Sequence, residues 1–197
     1  MLLLLRHGQA EWQIKRNHDM DSQLTPLGHK QIQSLVQFWH NGDCRQTPCD
    51  EPIGRMFGSP MLRAQQSAQY LEKGFSLTSE KCNGLSEAQF YVGDNLTKKP
   101  EPFAPNNVED ASEKYLNFRK DVEETLRALS SACQNNNLLA VTHGGFIKTA
   151  LRILFGNDAI DFSIANASLT RIEWRKNRWH LHDLGWDGHL QPEERSL

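Results

Sequence analysis

The chain has 197 residues, 38% of them hydrophobic and 23% charged, with a formal net charge of -2. That length suits a single domain spanning 1–197 with a full core, and the near-neutral balance gives no electrostatic case for nucleic acid or an anionic membrane. No apolar run approaches the ~20 residues that cross a bilayer, and Met1 to Leu5 is too short for a signal-peptide core. Cys44, Cys49, Cys82 and Cys133 are scattered without paired spacing. A soluble, cytoplasmic protein without a disulfide framework or a cysteine zinc site is expected.

Along the chain, strand and helix patterns alternate, which predicts an α/β fold: a three-layer α/β/α sandwich around a mostly parallel sheet. Leu2 to Leu5 is a wholly apolar first strand. Thr25 and Pro26 then open a helix as cap and first helical residue, with Ile32, Leu35, Val36, Phe38 and Trp39 following at apolar positions and Asn41-Gly42 as its stop. A second strand is predicted over Ile53 to Gly58, a helix from Met61 to Lys73, and a short strand over Leu77 to Cys82. Residues 87–108 carry Gly93, Pro100, Pro102 and Pro105 with little periodicity, and read as a lid that sets specificity. A long helix is expected from Glu109 to Cys133, with Tyr115, Phe118, Val122, Leu126 and Leu129 at helical spacing. The Leu138 to Thr142 strand and an apolar helix come next. Leu169 to Trp174 and Trp179 to Asp183 then read as a hairpin or as two edge strands.

Four features carry chemistry. Arg6-His7-Gly8 ends the first strand: the imidazole can be ligand, base or nucleophile, the guanidinium suits a phosphate or carboxylate, and glycine lets a bound anion approach the backbone. Ser59-Pro60-Met61-Leu62-Arg63-Ala64 stands at a second strand-to-helix junction. There Arg63 falls in the first helical turn, against the dipole, a conflict that a bound anion removes. Val141-Thr142-His143-Gly144-Gly145 ends a third strand, with glycine amides ahead of a helix. Leu85-Ser86-Glu87 supplies the proton donor that the other three lack. Taken singly, each has a plain alternative in a surface arginine, a core histidine or a solvated carboxylate. The other histidines (His18, His29, His40) read as surface or packing residues. His180 and His182 share a strand face but have no third ligand at plausible spacing. Trp12, Trp174, Trp179 and Trp186 read as packing.

Together the four features resemble the histidine phosphatase superfamily, whose members are similar to phosphoglycerate mutases. The shared pattern is Arg-His-Gly on the first strand, a second arginine after Ser-Pro, an acid after leucine, and a distal His-Gly-Gly. Leu24 to Gly28, Asn166 to Thr170 and His189-Leu190 resemble family segments as well, so the likeness spans nearly the whole chain.

The resemblance implies that His7 is a nucleophile forming a phosphohistidine. Arg6, Arg63 and His143 would then grip the phosphoryl oxygens, and Glu87 would act as general acid and later as base. Gly8 and Gly144 would give backbone access at the substrate site. Each unit charge pair at ~4 Å contributes roughly 4 kcal/mol at an effective dielectric of ~20, so the arginines supply the positive charge and no metal or other cofactor is called for. Gln13 departs from the family pattern, standing where an asparagine usually reaches the phosphate, and its longer amide is expected to bind substrate in that place. The expected partner is a small phosphorylated metabolite, and oligomeric state is left open. The expected activity is a metal-independent phosphomonoesterase. A cofactor-dependent phosphoglycerate mutase, a non-catalytic phosphate-binding module and a metal hydrolase using His7 and His143 are the alternatives. Mutases of the family follow the acid with Arg-His-Tyr-Gly, where this chain has Ala88-Gln89-Phe90-Tyr91.

Overall fold

The structure is a computed structural model and describes residues 1–15, 21–41, 52–105, 107–133 and 136–197. His18, Cys44, Cys49 and the helix stop at Gly42 lie outside the described residues.

Eleven regular elements follow one another among the described residues: β1 (Leu2–Arg6), α1 (Glu11–Lys15), α2 (Pro26–Asn41), β2 (Ile53–Gly58), α3 (Leu62–Phe75), β3 (Ser79–Lys81), α4 (Glu113–Ala132), β4 (Asn137–Thr142), α5 (Gly144–Phe155), β5 (Leu169–Arg175) and β6 (Arg178–Trp186). The six strands form one sheet in the order β3-β2-β4-β1-β5-β6. The first four are mutually parallel, β5 runs antiparallel to β1, and β6 closes the hairpin at the edge.

β1 shows why a continuous apolar run was needed. Its residues alternate between the two faces of the sheet, and both faces are covered by helices. Leu2 and Leu4 join Val122 and Leu126 of α4 and Phe146 and Ile147 of α5. Leu3 and Leu5 join Ile32 and Leu35 of α2 and Ala64 and Leu71 of α3. Helices on both sides of a largely parallel sheet make the expected three-layer sandwich.

Local signals set most boundaries. Thr25 Oγ1 accepts the Gly28 N–H at 3.0 Å, capping α2 with Pro26 at its first position. Gly156, with φ of 61°, ends α5 in the left-handed region. Three expectations shift. The long helix begins at Glu113 rather than Glu109, because the Ser112 side chain caps it, and Val108–Asp110 forms a separate 3-10 turn. β3 is confined to Ser79–Lys81. The five-residue α1 was not expected at all.

Candidate active site

In the parallel half of the sheet, β1, β2 and β4 end at the same edge: Arg6 is level with Thr142, and Gly58 with Val141. The carboxyl ends of parallel strands are where α/β folds build their sites. His7, Ser59 and His143, each one residue beyond a strand, are therefore brought together, and all three are buried.

His7 and His143 lie with ring centroids 5.1 Å apart. His7 Nδ1 is 2.6 Å from the carbonyl oxygen of Gly8, which can only accept, so Nδ1 carries the proton. On the other side of the ring, Arg63 Nε–H donates to Nε2 at 2.9 Å. Both contacts demand the same tautomer: a neutral imidazole with its lone pair on Nε2. Burial holds the His7 pKa well below the usual imidazole range, and His143, Arg63 and Arg6 push in the same direction. The arginines thus contribute, but desolvation is the larger cause.

Arg63 is the second residue of α3 and is fully buried. Its conflict with the helix dipole is relieved from within the protein. Asp21 accepts the Leu62 N–H at 2.7 Å. Burial lowers the Arg63 pKa, opposed by Glu87 and then by Asp21, which favour its charge. Arg6 donates to the Ile164 carbonyl through Nη1. Its pKa falls to about 10, through burial first and then Arg63, against the opposing pull of Glu87, so it stays cationic at neutral pH. Arg6 Nε and His143 Nδ1 are buried and have no hydrogen-bond partner among the described residues. Two unsatisfied polar atoms beside a neutral imidazole form a receptor for an oxyanion.

Glu87 is placed by two backbone amides, Gly145 N–H at 2.9 Å on Oε2 and Ala88 N–H at 3.0 Å on Oε1. Thr142 Oγ1 supports the segment by donating to the Leu85 carbonyl at 2.8 Å. Burial raises the Glu87 pKa, opposed by those amides and by Arg63 and Arg6. A carboxyl poised this way can give up and recover a proton.

Two residues expected at the substrate have partners within the protein. The Gly8 N–H donates to Ser67 Oγ at 3.2 Å, and a Cβ here would lie 2.4 Å from the Gly28 carbonyl oxygen. Glycine is needed for close packing against α2. Gln13 does not point its amide into the site. Its Nε2 donates to Asn166 Oδ1 and to the Leu197 carbonyl, each at 3.0 Å, and its Oε1 accepts from Ala10 N–H and Asn166 Nδ2. The extra methylene lets it brace the loop behind His7, where Asn166 Nδ2 also donates to the His7 carbonyl at 3.3 Å. Gly144 opens α5 directly against the Arg6 side chain, which lies 3.4 Å from the position its Cβ would take.

Three contributors were not assigned from sequence. A Cβ on Gly145 would meet Glu87 Oε1 at 2.2 Å, so this glycine admits the acid. Ser59 Oγ lies 2.7 Å from His143 Nε2. Trp12, expected as packing, lies beneath Arg63, whose guanidinium carbon is 5.9 Å from the ring centre. The Ser-Pro and His-Gly-Gly motifs contained the first two, but only the fold supplies their contacts. His182 pairs with Glu173 at 3.1 Å, away from this site. Among the described residues no group of three or more His, Cys, Asp or Glu is placed to hold a metal ion, and no helix is long and apolar enough to cross a membrane.

A family model for the histidine phosphatase superfamily (branch 1) matches residues 2–187. The uncharacterized phosphatase PhoE of Bacillus subtilis is 22% identical over 193 residues, covering 95% of both chains. Among solved structures, phosphoserine phosphatase of Entamoeba histolytica in complex with 3-phosphoglyceric acid superposes with a TM-score of 0.69 at 21% identity, covering 96% of this chain and 98% of that one. Phosphoglycerate mutase of Bacillus anthracis gives 0.71 at 18%, covering 95% and 93%. At such identities these structures show a shared fold.

Proposed function

The chain belongs to the histidine phosphatase superfamily (branch 1), and we propose that it hydrolyses a small phosphorylated metabolite through a phosphohistidine on His7, without a metal. The enzyme is a phosphoric monoester hydrolase. One observation carries the reading: His7 is held neutral, with Nδ1–H on the Gly8 carbonyl and its Nε2 lone pair accepting from Arg63.

In the first step, Nε2 attacks phosphorus in line with the ester oxygen, and the P–O bond to the leaving group breaks as the P–N bond forms. Arg63 swings its Nε–H from Nε2 to a phosphoryl oxygen, and Arg6 and His143 take others. Protonated Glu87 gives its proton to the departing alkoxide. In the second step, Glu87 takes a proton from water, whose oxygen attacks phosphorus as the P–N bond breaks and its electron pair returns to Nε2, releasing inorganic phosphate and neutral His7. Ala88, Gln89, Phe90 and Tyr91 place no cation immediately after the acid, which favours release to water over retention of a second phosphorylated group.

The test is hydrolysis of a generic aryl phosphate in excess EDTA, with alkaline quenching to preserve phosphohistidine. Turnover and an alkali-stable label in the wild type, both absent in His7→Ala, are expected. Chelator-sensitive turnover, or turnover surviving His7→Ala, overturns the proposal.

A further inference from the structure

We infer that Ser59 is a positioning residue that fixes the tautomer of His143, so that His143 meets the substrate as an Nδ1–H donor. The inference rests on the phosphoryl-transfer reading above, but its central measurement does not require turnover.

Ser59 is 1% exposed and held on both sides. Its backbone N–H donates to the Val141 carbonyl at 2.9 Å, tying the end of β2 to β4. Its Oγ accepts the Met61 N–H at 3.3 Å and lies 2.7 Å from His143 Nε2. A serine hydroxyl has one proton to give. The Met61 amide takes one of the two Oγ lone pairs, and among the described residues His143 Nε2 is the one acceptor within hydrogen-bond distance of the hydroxyl proton, so that proton is directed to Nε2. Burial, with Arg63 and Arg6, keeps the His143 ring neutral, and its single proton is left on Nδ1. Nδ1 is buried and has no hydrogen-bond partner among the described residues, on a ring packed 5.1 Å from that of His7.

The tautomer decides the sign of the interaction. An Nδ1–H donates to a phosphoryl oxygen, whereas an Nδ1 lone pair in the same place repels it. His7 sets its own tautomer through the adjacent carbonyl. His143 has no such internal device and depends on a hydroxyl from another strand. An imidazole locked in the wrong tautomer loses function even when its position is unchanged.

The test compares wild type, Ser59→Ala and Ser59→Thr in the empty site by long-range 1H–15N NMR of histidine-labelled protein, with the His143 signals assigned from His143→Gln. The wild type and Ser59→Thr are expected to show the Nδ1–H pattern, and Ser59→Ala a shift to Nε2–H. With aryl phosphate, Ser59→Ala should lower kcat/KM by about tenfold, which the threonine restores. A wild-type His143 bearing its proton on Nε2, or a tautomer unchanged in Ser59→Ala, overturns the inference. Absence of turnover in the wild type with the expected NMR patterns counts against the phosphatase reading alone.

Discussion

The two histidine-bearing strand ends read almost alike, Arg6-His7-Gly8 against Thr142-His143-Gly144-Gly145, yet they are built on opposite principles. At the first, the imidazole is oriented by its own backbone, and the glycine is there to pack against α2. At the second, the imidazole takes its orientation from Ser59, and Gly145 is there to admit Glu87. The tautomer of His7, the proposed nucleophile, is thus set locally, while His143 depends on residues from two other segments. Identical residue types in matching contexts do not imply matching roles.

The sharpest way to separate the two ends is to remove each ring. His7→Ala takes away the proposed nucleophile and should lower kcat/KM for aryl phosphate by more than about 10,000-fold. His143→Ala removes one oxyanion donor and should cost roughly 100- to 1,000-fold. Equal losses would break the distinction.

The glycines offer the next contrast. Gly8→Ala drives a methyl into the rigid Gly28 backbone and should destabilise the fold by about 1–3 kcal/mol in urea denaturation. Gly145→Ala meets the movable end of Glu87. It should leave the urea midpoint nearly in place while lowering kcat about 100-fold, because a misplaced acid loses its alignment. A stability loss at Gly145 matching that at Gly8 would refute this division of labour.

A pH profile of kcat/KM probes the nucleophile and acid together. The acid limb should fall well below 6.5, because the His7 pKa is lowered by burial and stays neutral into mild acid. The alkaline limb belongs to Glu87, whose pKa is raised above 4.5, and it should flatten in Glu87→Gln over a much reduced rate. An acid limb near 6.5 in the wild type would contradict the buried, neutral nucleophile.

The smallest effect lies outside the site. His189 is buried against Trp186, its two ring nitrogens without hydrogen-bond partners among the described residues, and burial lowers its pKa to about 4. Between that value and 6.5 the unfolded chain takes up a proton that the folded one refuses, so stability is lost as pH falls through this window. His189→Leu should lose less stability than wild type between pH 7 and 4.5, by on the order of 2 kcal/mol, measured by urea titration at both values. Parallel losses would show that His189 does not titrate on unfolding.

Much of this was legible in the sequence where a residue's role follows from its neighbours along the chain. The β1 run, the Thr25-Pro26 start of α2 and the two histidines at strand ends are of this kind. What stayed hidden depends on distance through space. Gly8 faces Gly28, and Gln13 reaches Asn166 and the Leu197 carbonyl, protein partners too distant along the chain for the sequence to announce. Ser59 and Gly145 stood within recognised motifs, but no spacing rule places a hydroxyl on His143 or a carboxylate over α5. The five residues of α1 are too few for a helical period to register.

The central position of β1 also bears on how the molecule is made. Leu2 pairs with Leu138 on one side and Ile172 on the other. β1 therefore leaves the ribosome before either of its neighbours and waits until β4 and then β5 have been synthesised. Until then the tetraleucine stretch has helices that could cover it but neither of its partner strands, so its backbone groups stay open to mispairing in the nascent chain.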